Sequence, residues 1–350
     1  MKLDSIHYDF SRIDGYNKPF NFVVSEREDG KSTAFHISKA YKAFKESKRP
    51  TIVVRRMGVD ITDSYINSLE SILNKFNDSP LRFSYLRGSK KDGVVDVKVG
   101  QDVIYRVVAL SAPLSRSKSL FLANPIYILF DEFICNTRAG EKYLPDEAFR
   151  FKEMYTTYNR EGETTIKCYF LGNPYSLYSP CFVDFGIDPK AFAKGGVISG
   201  ANWAAEFHEL NPELKEAILR KNPLYQFENA YTRYALKGEA INDSNIRIEP
   251  KIPSNYRLCF FFYIDGKYLA LYENSAFDFD NQFFVGYADK AGKRRDIYCF
   301  DFKDLIDRSA LFSYEDRAKL DRFRRAVRTR AVAYESLECD YLVEEIYSSL

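Results

Sequence analysis

The sequence predicts an α/β protein with a mostly parallel sheet covered by helices on both faces, followed by a smaller α+β domain. Buried strands such as 20–24 alternate with segments of helical spacing such as 60–76, where apolar residues recur every fourth position. Continuous apolar runs such as 126–130 are typical of strands buried on both faces. In the last third of the chain, an Asp-Gly pair between the apolar runs 256–264 and 267–272 predicts a hairpin.

The remaining elements of the first part follow the same reasoning. Helical spacing predicts a helix from residue 31 to about residue 46. Alternating or continuous apolar residues predict strands at 51–54, 81–86, 94–99, 103–110 and 166–171. Turns are expected at Asp92-Gly93 and at Gly100.

The second part reads as strands followed by helices. Leu320, Phe323, Val327, Ala331 and Tyr334 share one helical face and predict a single helix through all five positions. A polar stretch with two prolines separates the two parts of the chain. We therefore place a domain boundary in this stretch and expect an α/β domain at 1–200, a segment with a plausible helix (209–221) at 201–245 and a second domain at 246–350.

Composition excludes several classes of protein. The 350 residues carry 51 Lys and Arg against 49 Asp and Glu, so nucleic-acid binding would have to come from local patches. The longest apolar run is far shorter than a bilayer span, and we expect neither a membrane segment nor a secretory signal. The six cysteines include no CxxC pair and are expected to be reduced, without a zinc site.

The first chemical signal is a polar loop between the strand 20–24 and the helix that starts at residue 31. Gly30-Lys31-Ser32-Thr33 matches the end of the phosphate-loop pattern GxxxxGK[ST], with Ser25 in place of the first glycine. Backbone N–H groups at such a helix start bind phosphates, Lys31 would reach the β- and γ-phosphates of ATP, and Ser32 would ligate Mg²⁺.

Three acids make this loop unusual. Glu26, Glu28 and Asp29 bring negative charge near the expected phosphates, and Arg27 offsets some of it. On its own, the loop is therefore as well explained by a chance Gly-Lys-Ser at a helix start as by a nucleotide site.

Two later strand ends strengthen the nucleotide interpretation. The buried run 126–130 ends in Asp131 and Glu132, where an aspartate supports the Mg²⁺ site and a glutamate polarises the attacking water in nucleotide hydrolases. The strand 166–171 leads to Asn173, which would lie beside the γ-phosphate because ligands bind at the carboxyl ends of parallel strands. Solvated acids at a strand tip, and a simple turn at Asn173, are the alternative interpretations.

Basic residues suggest contacts with nucleic acid and with a neighbouring subunit. Arg160 lies in the loop before the strand 166–171 and could act as an arginine finger on a neighbouring subunit. The C-terminal helix carries a dense set of exposed cations that could contact phosphates. The set includes Arg322, Arg324, Arg325 and Arg328, and Lys293-Arg294-Arg295 lies nearby in sequence. An ordinary solvated helix face is the alternative explanation.

Taken together, these segments resemble the DNA-encapsidation ATPases of small, short-tailed, protein-primed phages (Picovirinae-like packaging motors). The resemblance covers most of the chain. It is carried by Asn21 to Val24, Arg27 with Gly30-Lys31-Ser32, Val54-Arg55-Arg56, Pro113 to Ser115 with Lys118, Phe130 to Ile134, and Cys168 with Leu171 to Asn173.

The resemblance implies roles for particular residues. Asp131 and Glu132 match the family's Mg²⁺-site aspartate and catalytic glutamate, and Arg27 matches an arginine inside its phosphate loop. Lys118 matches a basic residue that acts in trans or near DNA, and Arg160 is the best match for the arginine finger. Ser25 and Glu28 depart from glycines of the family, which bears on nucleotide affinity.

The resemblance also implies a fold and a function. The fold is a P-loop NTPase of the additional-strand, catalytic-glutamate class with a small RNase H-like, vestigial nuclease domain at the C-terminus. The resemblance also implies that the segment 201–245 is a helical linker. The activity is an ATP-driven translocase of double-stranded DNA, working as a homo-pentameric ring with the portal, the prohead and a packaging RNA. Its place is the host cytoplasm, transiently on the prohead. The alternatives are a non-catalytic nucleic-acid-binding or capsid-associated protein with a decayed nucleotide site, and a P-loop terminase or helicase with an active nuclease.

Overall fold

The chain forms two compact units, residues 1–241 and 242–350. The structure is a computed structural model. It describes residues 7–77, 79–85, 93–113, 125–136, 139–159, 166–176, 178–188, 196–226, 246–264, 266–276, 278, 281–291, 296–300, 304–307, 309–311 and 317–349. Each unit has its own sheet and its own hydrophobic core.

The first unit is built on a nine-stranded sheet. Its strands are β1 (Phe20–Ser25), β2 (Thr51–Arg55), β3 (Phe83–Tyr85), β4 (Val94–Val99), β5 (Asp102–Ala109), β6 (Tyr127–Asp131), β7 (Lys167–Gly172), β8 (Gly196–Ser199) and β9 (Trp203–His208). They lie in the order β3-β4-β5-β2-β6-β7-β1-β9-β8. All neighbours from β5 to β9 pair in parallel, and β3, β4 and β8 add antiparallel strands at the two sides. The predicted mostly parallel sheet is confirmed.

Helices cover both faces of this sheet. They are α1 (Ser11–Asp14), α2 (Lys31–Phe35), a π-helical segment (His36–Tyr41), α3 (Lys42–Ser47), α4 (Asp63–Asn74), α5 (Glu147–Tyr158), α6 (Pro180–Asp184) and α7 (Pro212–Lys221), with 3₁₀ turns at Gly58–Asp60 and Pro223–Gln226. Successive residues of β1 point to opposite faces, so Phe22 belongs to the core under α5 and α6, while Val23 belongs to the core under α2 and α4. Because both faces of the strand are covered, apolar residues follow one another along it.

The second unit is an α+β unit with a seven-stranded sheet. Its elements are β10 (Arg247–Ile248), β11 (Tyr256–Ile264), β12 (Lys267–Asn274), β13 (Phe283–Ala288), β14 (Ile297–Cys299), β15 (Ala310–Leu311), α8 (Arg317–Thr329), β16 (Val332–Tyr334) and α9 (Leu337–Ser349). The strand order is β10-β16-β13-β12-β11-β14-β15. β11 and β12 form the predicted antiparallel hairpin, with Ile264 opposite Lys267.

Two expectations differ from the structure. The helix predicted through Tyr334 ends at Thr329, because Arg330 adopts a left-handed conformation (φ 59°) and residues Val332–Tyr334 pair with β10 and β13 instead. The first compact unit extends past the predicted boundary at residue 200, because Trp203–His208 pairs with β1 inside the sheet. In both cases strand pairing with a distant segment decides the outcome.

Two further expectations concerned the state of the cysteines and the presence of a membrane segment. All six cysteines are free thiols, as predicted. Within the described part of the chain, every helix is too short or too polar to span a bilayer.

Candidate nucleotide site

The polar loop joins the end of β1 to the start of α2. Gly30 precedes the helix with a left-handed backbone (φ 82°), which glycine adopts without steric cost. A Cβ atom at this position would lie 2.9 Å from Cδ2 of His7. Both the left-handed backbone and the lack of space for a Cβ atom therefore favour glycine at position 30. Thr33 lies half-buried in the first turn of the helix.

Lys31 is almost fully buried and points to the end of a neighbouring strand. Its Nζ donates to Oδ1 of Asn173 at 2.7 Å and lies 3.5 Å from the carbonyl oxygen of Ser25. Burial lowers the pKa of Lys31, and the negative charges of Asp29, Asp131 and Glu132 oppose that shift. The amide of Asn173, just after β7, thus holds the ammonium group where the sheet's carboxyl edge meets the loop.

Ser32 contacts the acid at the end of β6. Its hydroxyl donates to Oδ1 of Asp131 at 3.0 Å. β7 lies between β1 and β6, so one additional strand separates the loop from the acidic strand end. A hydroxyl and a carboxylate at this distance offer the hard oxygen atoms that Mg²⁺ prefers.

Glu132 follows Asp131 in a left-handed backbone conformation (φ 58°), which is costly for a residue with a side chain. Its side chain is half-exposed. Oε2 accepts a hydrogen bond from Nη2 of Arg55 at 3.0 Å. Arg55 is the last residue of β2, so the strand next to β6 supplies the partner of this carboxylate.

Arg56 holds the backbone of the same turn. Its guanidinium donates to the carbonyl oxygens of Glu132 (3.1 Å) and Phe133 (2.9 Å), and to both carboxylate oxygens of Glu147 at 2.7 and 3.0 Å. Burial alone lowers the pKa of Arg56, but the charge and hydrogen bonds of Glu147 raise it above its ordinary value. The ion pair is buried on both sides, so it fixes the turn that carries Glu132.

Two acids of the loop, Glu26 and Glu28, have partners away from Lys31. The buried carboxylate of Glu26 accepts from the backbone N–H of Leu210 at 2.5 Å. Glu28 accepts from the hydroxyl of Tyr225 at 3.2 Å. Both side chains therefore bind the segment that follows β9, whereas Lys31 faces Asn173.

Asp29 is fully buried beside the last parallel strand. Its Oδ1 lies 3.6 Å from Nε2 of His208, and His208 in turn lies 3.8 Å from Glu206. Burial raises the pKa of Asp29, with His208 and other groups acting against that shift. Burial also lowers the pKa of His208, but its hydrogen bond to Glu206 and the nearby carboxylates raise the pKa overall. This cluster secures the loop to β9.

The remaining predicted residues are distributed as follows. Arg27 is exposed on the loop, and its charge contributes to lowering the pKa of Lys31. Lys118, Arg160 and Lys293-Arg294-Arg295 lie outside the described residues. On α8, Arg322, Arg325 and Arg328 are exposed, Arg324 is half-buried, and Arg322 pairs with Glu273. The structure thus unites Lys31, Ser32, Asp131, Glu132 and Asn173 at one sheet edge.

Sequence reasoning assigned no role to the two arginines that contact Glu132. Arg55 and Arg56 were part of a matched segment, at the end of a predicted buried strand. Their position at the end of a buried strand could have identified them, because residues at the carboxyl ends of parallel strands lie at the same sheet edge as Asp131.

Comparisons with known proteins show the family to which the chain belongs. The family model described as "Podovirus DNA encapsidation protein (Gp16)" matches residues 2–349. The DNA packaging protein of Bacillus phage PZA is 28% identical over 254 residues, 71% of this chain and 70% of that protein. The DNA packaging protein of Bacillus phage phi29 is 28% identical over 201 residues, 56% of this chain and 55% of that protein.

Solved structures show the same fold over nearly the whole chain. A chain of the bacteriophage phi29 viral genome packaging motor assembly superposes with a TM-score of 0.65 at 18% identity, covering 99% of both chains. A chain of the Phi-28 gp11 DNA packaging motor superposes with a TM-score of 0.64 at 15% identity, covering 95% of both chains. With a family model spanning both units and a loop, acids and amide assembled at one sheet edge, this chain belongs to the podovirus DNA encapsidation protein (Gp16) family.

Proposed function

We propose that this chain is the ATPase of a phage packaging motor, which couples Mg²⁺-dependent ATP hydrolysis to translocation of double-stranded DNA into a prohead through the portal. One observation carries the proposal. Lys31 and Ser32 of the loop meet Asp131 and Asn173 at the carboxyl ends of β6 and β7. This is the arrangement that phosphoryl transfer requires, since its catalysis consists mainly of positioning and charge stabilisation.

Each residue has a role that follows from its contacts. Backbone N–H groups from Gly30 to Thr33 would bind phosphate oxygens at the helix start, and Lys31 would neutralise their charge. Ser32 and Asp131 would hold Mg²⁺, which supplies charge neutralisation between the β- and γ-phosphates. Glu132 would orient the attacking water, and Asn173 keeps the Lys31 ammonium at the γ-phosphate position.

The transition state needs a further positive charge. Arg55 and Arg56 are engaged with Glu132 and Glu147, which supports a finger supplied by another subunit. We assign this role to Arg160 acting in trans, with Arg27 contributing from the loop itself. A finger in trans requires heterologous contacts that close into a ring, and the family resemblance favours a ring of five subunits.

The nucleic-acid contacts are assigned to Lys118 and to the exposed arginines of α8. Arg322, Arg325 and Arg328 lie on the solvent face of that helix, where they would contact phosphates of DNA or packaging RNA. Strand order β13-β12-β11-β14-β15, with β12 antiparallel to its neighbours, supports an RNase H-like domain from residue 246. The motor would act in the host cytoplasm and, transiently, on the prohead.

The main support for a decayed, non-catalytic site was the acidic loop. That support is weaker now, because Glu26 and Glu28 bind Leu210 and Tyr225. A terminase or helicase with an active nuclease remains the other candidate, and Mn²⁺-dependent cutting of DNA would identify it.

The decisive experiment is Mg²⁺-dependent ATP hydrolysis by the full chain, with and without double-stranded DNA, for wild type, Lys31→Ala and Glu132→Gln. We expect DNA-stimulated turnover in wild type only. Glu132→Gln should lower kcat by at least about 100-fold while it retains ATP binding, because loss of the general base leaves the phosphate contacts intact. Glu153→Gln, on the sheet-covering helix α5, is a matched carboxylate control that should leave turnover unchanged.

Two outcomes would contradict the proposal. The first is absence of turnover and of ATP binding in wild type at protein concentrations that allow rings to form. The second is unchanged turnover in Glu132→Gln, which would mean that the acid after β6 takes no part in hydrolysis. Steep loss of DNA stimulation with rising salt would support phosphate contacts as the source of DNA binding.

A further inference from the structure

Helix α4 carries an aromatic residue beside the arginine that contacts Glu132. Oγ1 of Thr62 accepts from the backbone N–H of Tyr65 at 3.0 Å and caps the helix, and Ile66 and Leu69 bury the helix against the sheet. With the helix anchored in this way, the ring centroid of Tyr65 lies 4.9 Å from Cζ of Arg55. That distance is within the range of a cation–π contact.

The contact lies in a largely desolvated place. The side chain of Arg55 is 15% exposed, and that of Glu132 is 55% exposed, so the arginine is the sheltered partner. Burial raises the pKa of the Tyr65 hydroxyl well above its ordinary value, and the charges of Asp131 and Glu132 add to the shift. A desolvated guanidinium gains more from an aromatic face than an exposed one does.

Both the ring and the hydroxyl of Tyr65 lie near Arg55. The Tyr65 hydroxyl and Nε of Arg55 are both buried, and the charge of Arg55 and a hydrogen bond with it act against the rise in the Tyr65 pKa. The ring contacts the guanidinium, while Nη2 of Arg55 reaches Oε2 of Glu132 at 3.0 Å.

Resting on the proposed function, we infer that Tyr65 is a positioning residue for hydrolysis, which acts on Glu132 through Arg55. The ring fixes the guanidinium, the guanidinium fixes Oε2 of Glu132, and Oε1 is left to orient the attacking water. A half-exposed glutamate without such support samples several rotamers, and misplacement of a catalytic group by about 1 Å costs up to about 100-fold in rate. Tyr65 touches neither the water nor the nucleotide in this scheme.

The test measures kcat and KM for ATP hydrolysis by the full chain in Tyr65→Leu, Tyr65→Phe, Arg55→Ala and the double variant Tyr65→Leu/Arg55→Ala. We expect Tyr65→Leu to lower kcat about tenfold with KM within about twofold of wild type. Tyr65→Phe retains an aromatic face and should stay within about twofold of wild-type kcat. The double variant should be no slower than Arg55→Ala, because both changes remove the same support.

Tyr158→Leu is the matched control. Tyr158 is also a helix residue of the first unit, it is 4% exposed, and its hydroxyl neighbours the guanidinium of Arg106. Its replacement should lower the melting temperature as much as Tyr65→Leu does, without a change in kcat. A kcat effect confined to position 65 separates positioning from general loss of packing.

Several results would overturn the inference. Unchanged kcat in Tyr65→Leu, with an active wild type, would overturn it and leave the proposed function standing. Equal losses in Tyr65→Phe and Tyr65→Leu would assign the effect to the hydroxyl, and additive losses in the double variant would show that Tyr65 does not act through Arg55. An inactive wild type that fails to bind ATP would overturn both the proposed function and this inference.

Discussion

Two groups of residues at the candidate site differ in what they contact and in what their loss would change. The facing group contains Lys31, Ser32, Asp131, Glu132 and Asn173. The supporting group contains Glu26, Glu28, Asp29, His36, Arg56 and Glu147. In the facing group, Lys31 contacts Asn173, Ser32 contacts Asp131, and Glu132 follows Asp131 at the same sheet edge, whereas each supporting residue binds backbone or a buried partner behind that edge. The difference teaches that an acidic residue in a phosphate loop can serve the scaffold rather than the ligand.

The largest effect on stability is expected from Arg56→Met. This change removes one partner of a buried ion pair and leaves Glu147 with an uncompensated charge, at a cost of about 3–5 kcal/mol in the free energy of unfolding. Urea unfolding of wild type and variant measures it. The double variant Arg56→Met/Glu147→Met should recover most of the loss, because no buried charge is left unpaired.

Arg106→Met is the control for that experiment. Arg106 also forms an ion pair, with Asp96 between β4 and β5, but the side chain of Asp96 is 32% exposed, so this pair is less buried than that of Arg56 and Glu147. It should lower stability but leave kcat of the folded protein unchanged. If Arg56→Met cost less than Arg106→Met, the turn of Glu132 would not depend on its buried pair.

A smaller effect is expected from pH, through a histidine under the loop helix. Burial lowers the pKa of His36 to about 4, and its Nδ1 lies 3.2 Å from the hydroxyl of Tyr105. The unfolded chain therefore binds a proton between about pH 6.5 and pH 4 that the folded chain does not, so stability falls as the pH drops through this window. The loss should reach about 2 kcal/mol at pH 5.

His36→Gln isolates this contribution. The variant should show a shallower fall of unfolding free energy between pH 7 and pH 5 than wild type, and the difference measures the proton bound by the histidine. Equal pH dependence in the two proteins would mean that folding does not shift the pKa of His36.

Effects of similar or smaller size are expected from the loop acids Glu26 and Glu28. Glu26→Ala leaves the buried N–H of Leu210 unpaired and should cost about 1–3 kcal/mol, whereas Glu26→Gln keeps an acceptor and should cost less. Glu28→Ala removes a part-buried hydrogen bond with Tyr225 and should cost about 0.5–1.5 kcal/mol. Chemical unfolding and ATP affinity are measured together. If a variant gained more free energy of ATP binding than it lost in free energy of unfolding, the acid would act mainly on the nucleotide rather than on the scaffold.

The facing group could be predicted from the sequence, and the supporting group could not. A strand, Gly-Lys-Ser and a helix, then a second strand with Asp131 and Glu132, define the site by local pattern and order. The direction of Glu26 depends on Leu210, which lies 184 residues away in the chain. Contacts of that kind leave no periodicity in the sequence.

The elements of the fold follow the same division. Buried strands of the parallel sheet were predictable because both of their faces are apolar. The end of α8 was not, because Val332–Tyr334 continues the apolar spacing of the helix but pairs with β13. The extent of the first unit was missed for a similar reason, since β9 joins the sheet beside β1, far away in sequence.

The left-handed backbone at Glu132 has a consequence for how this position changes over generations. Glycine would adopt that conformation with less strain, and asparagine or aspartate occur there more readily than glutamate. Because point changes accumulate wherever they do not lower fitness, a lineage released from the need for turnover should drift toward those residues. Glutamate at 132 therefore has a conformational cost, which the proposed role of this residue in hydrolysis would explain. Glu132→Gly should accordingly abolish turnover without lowering the unfolding free energy.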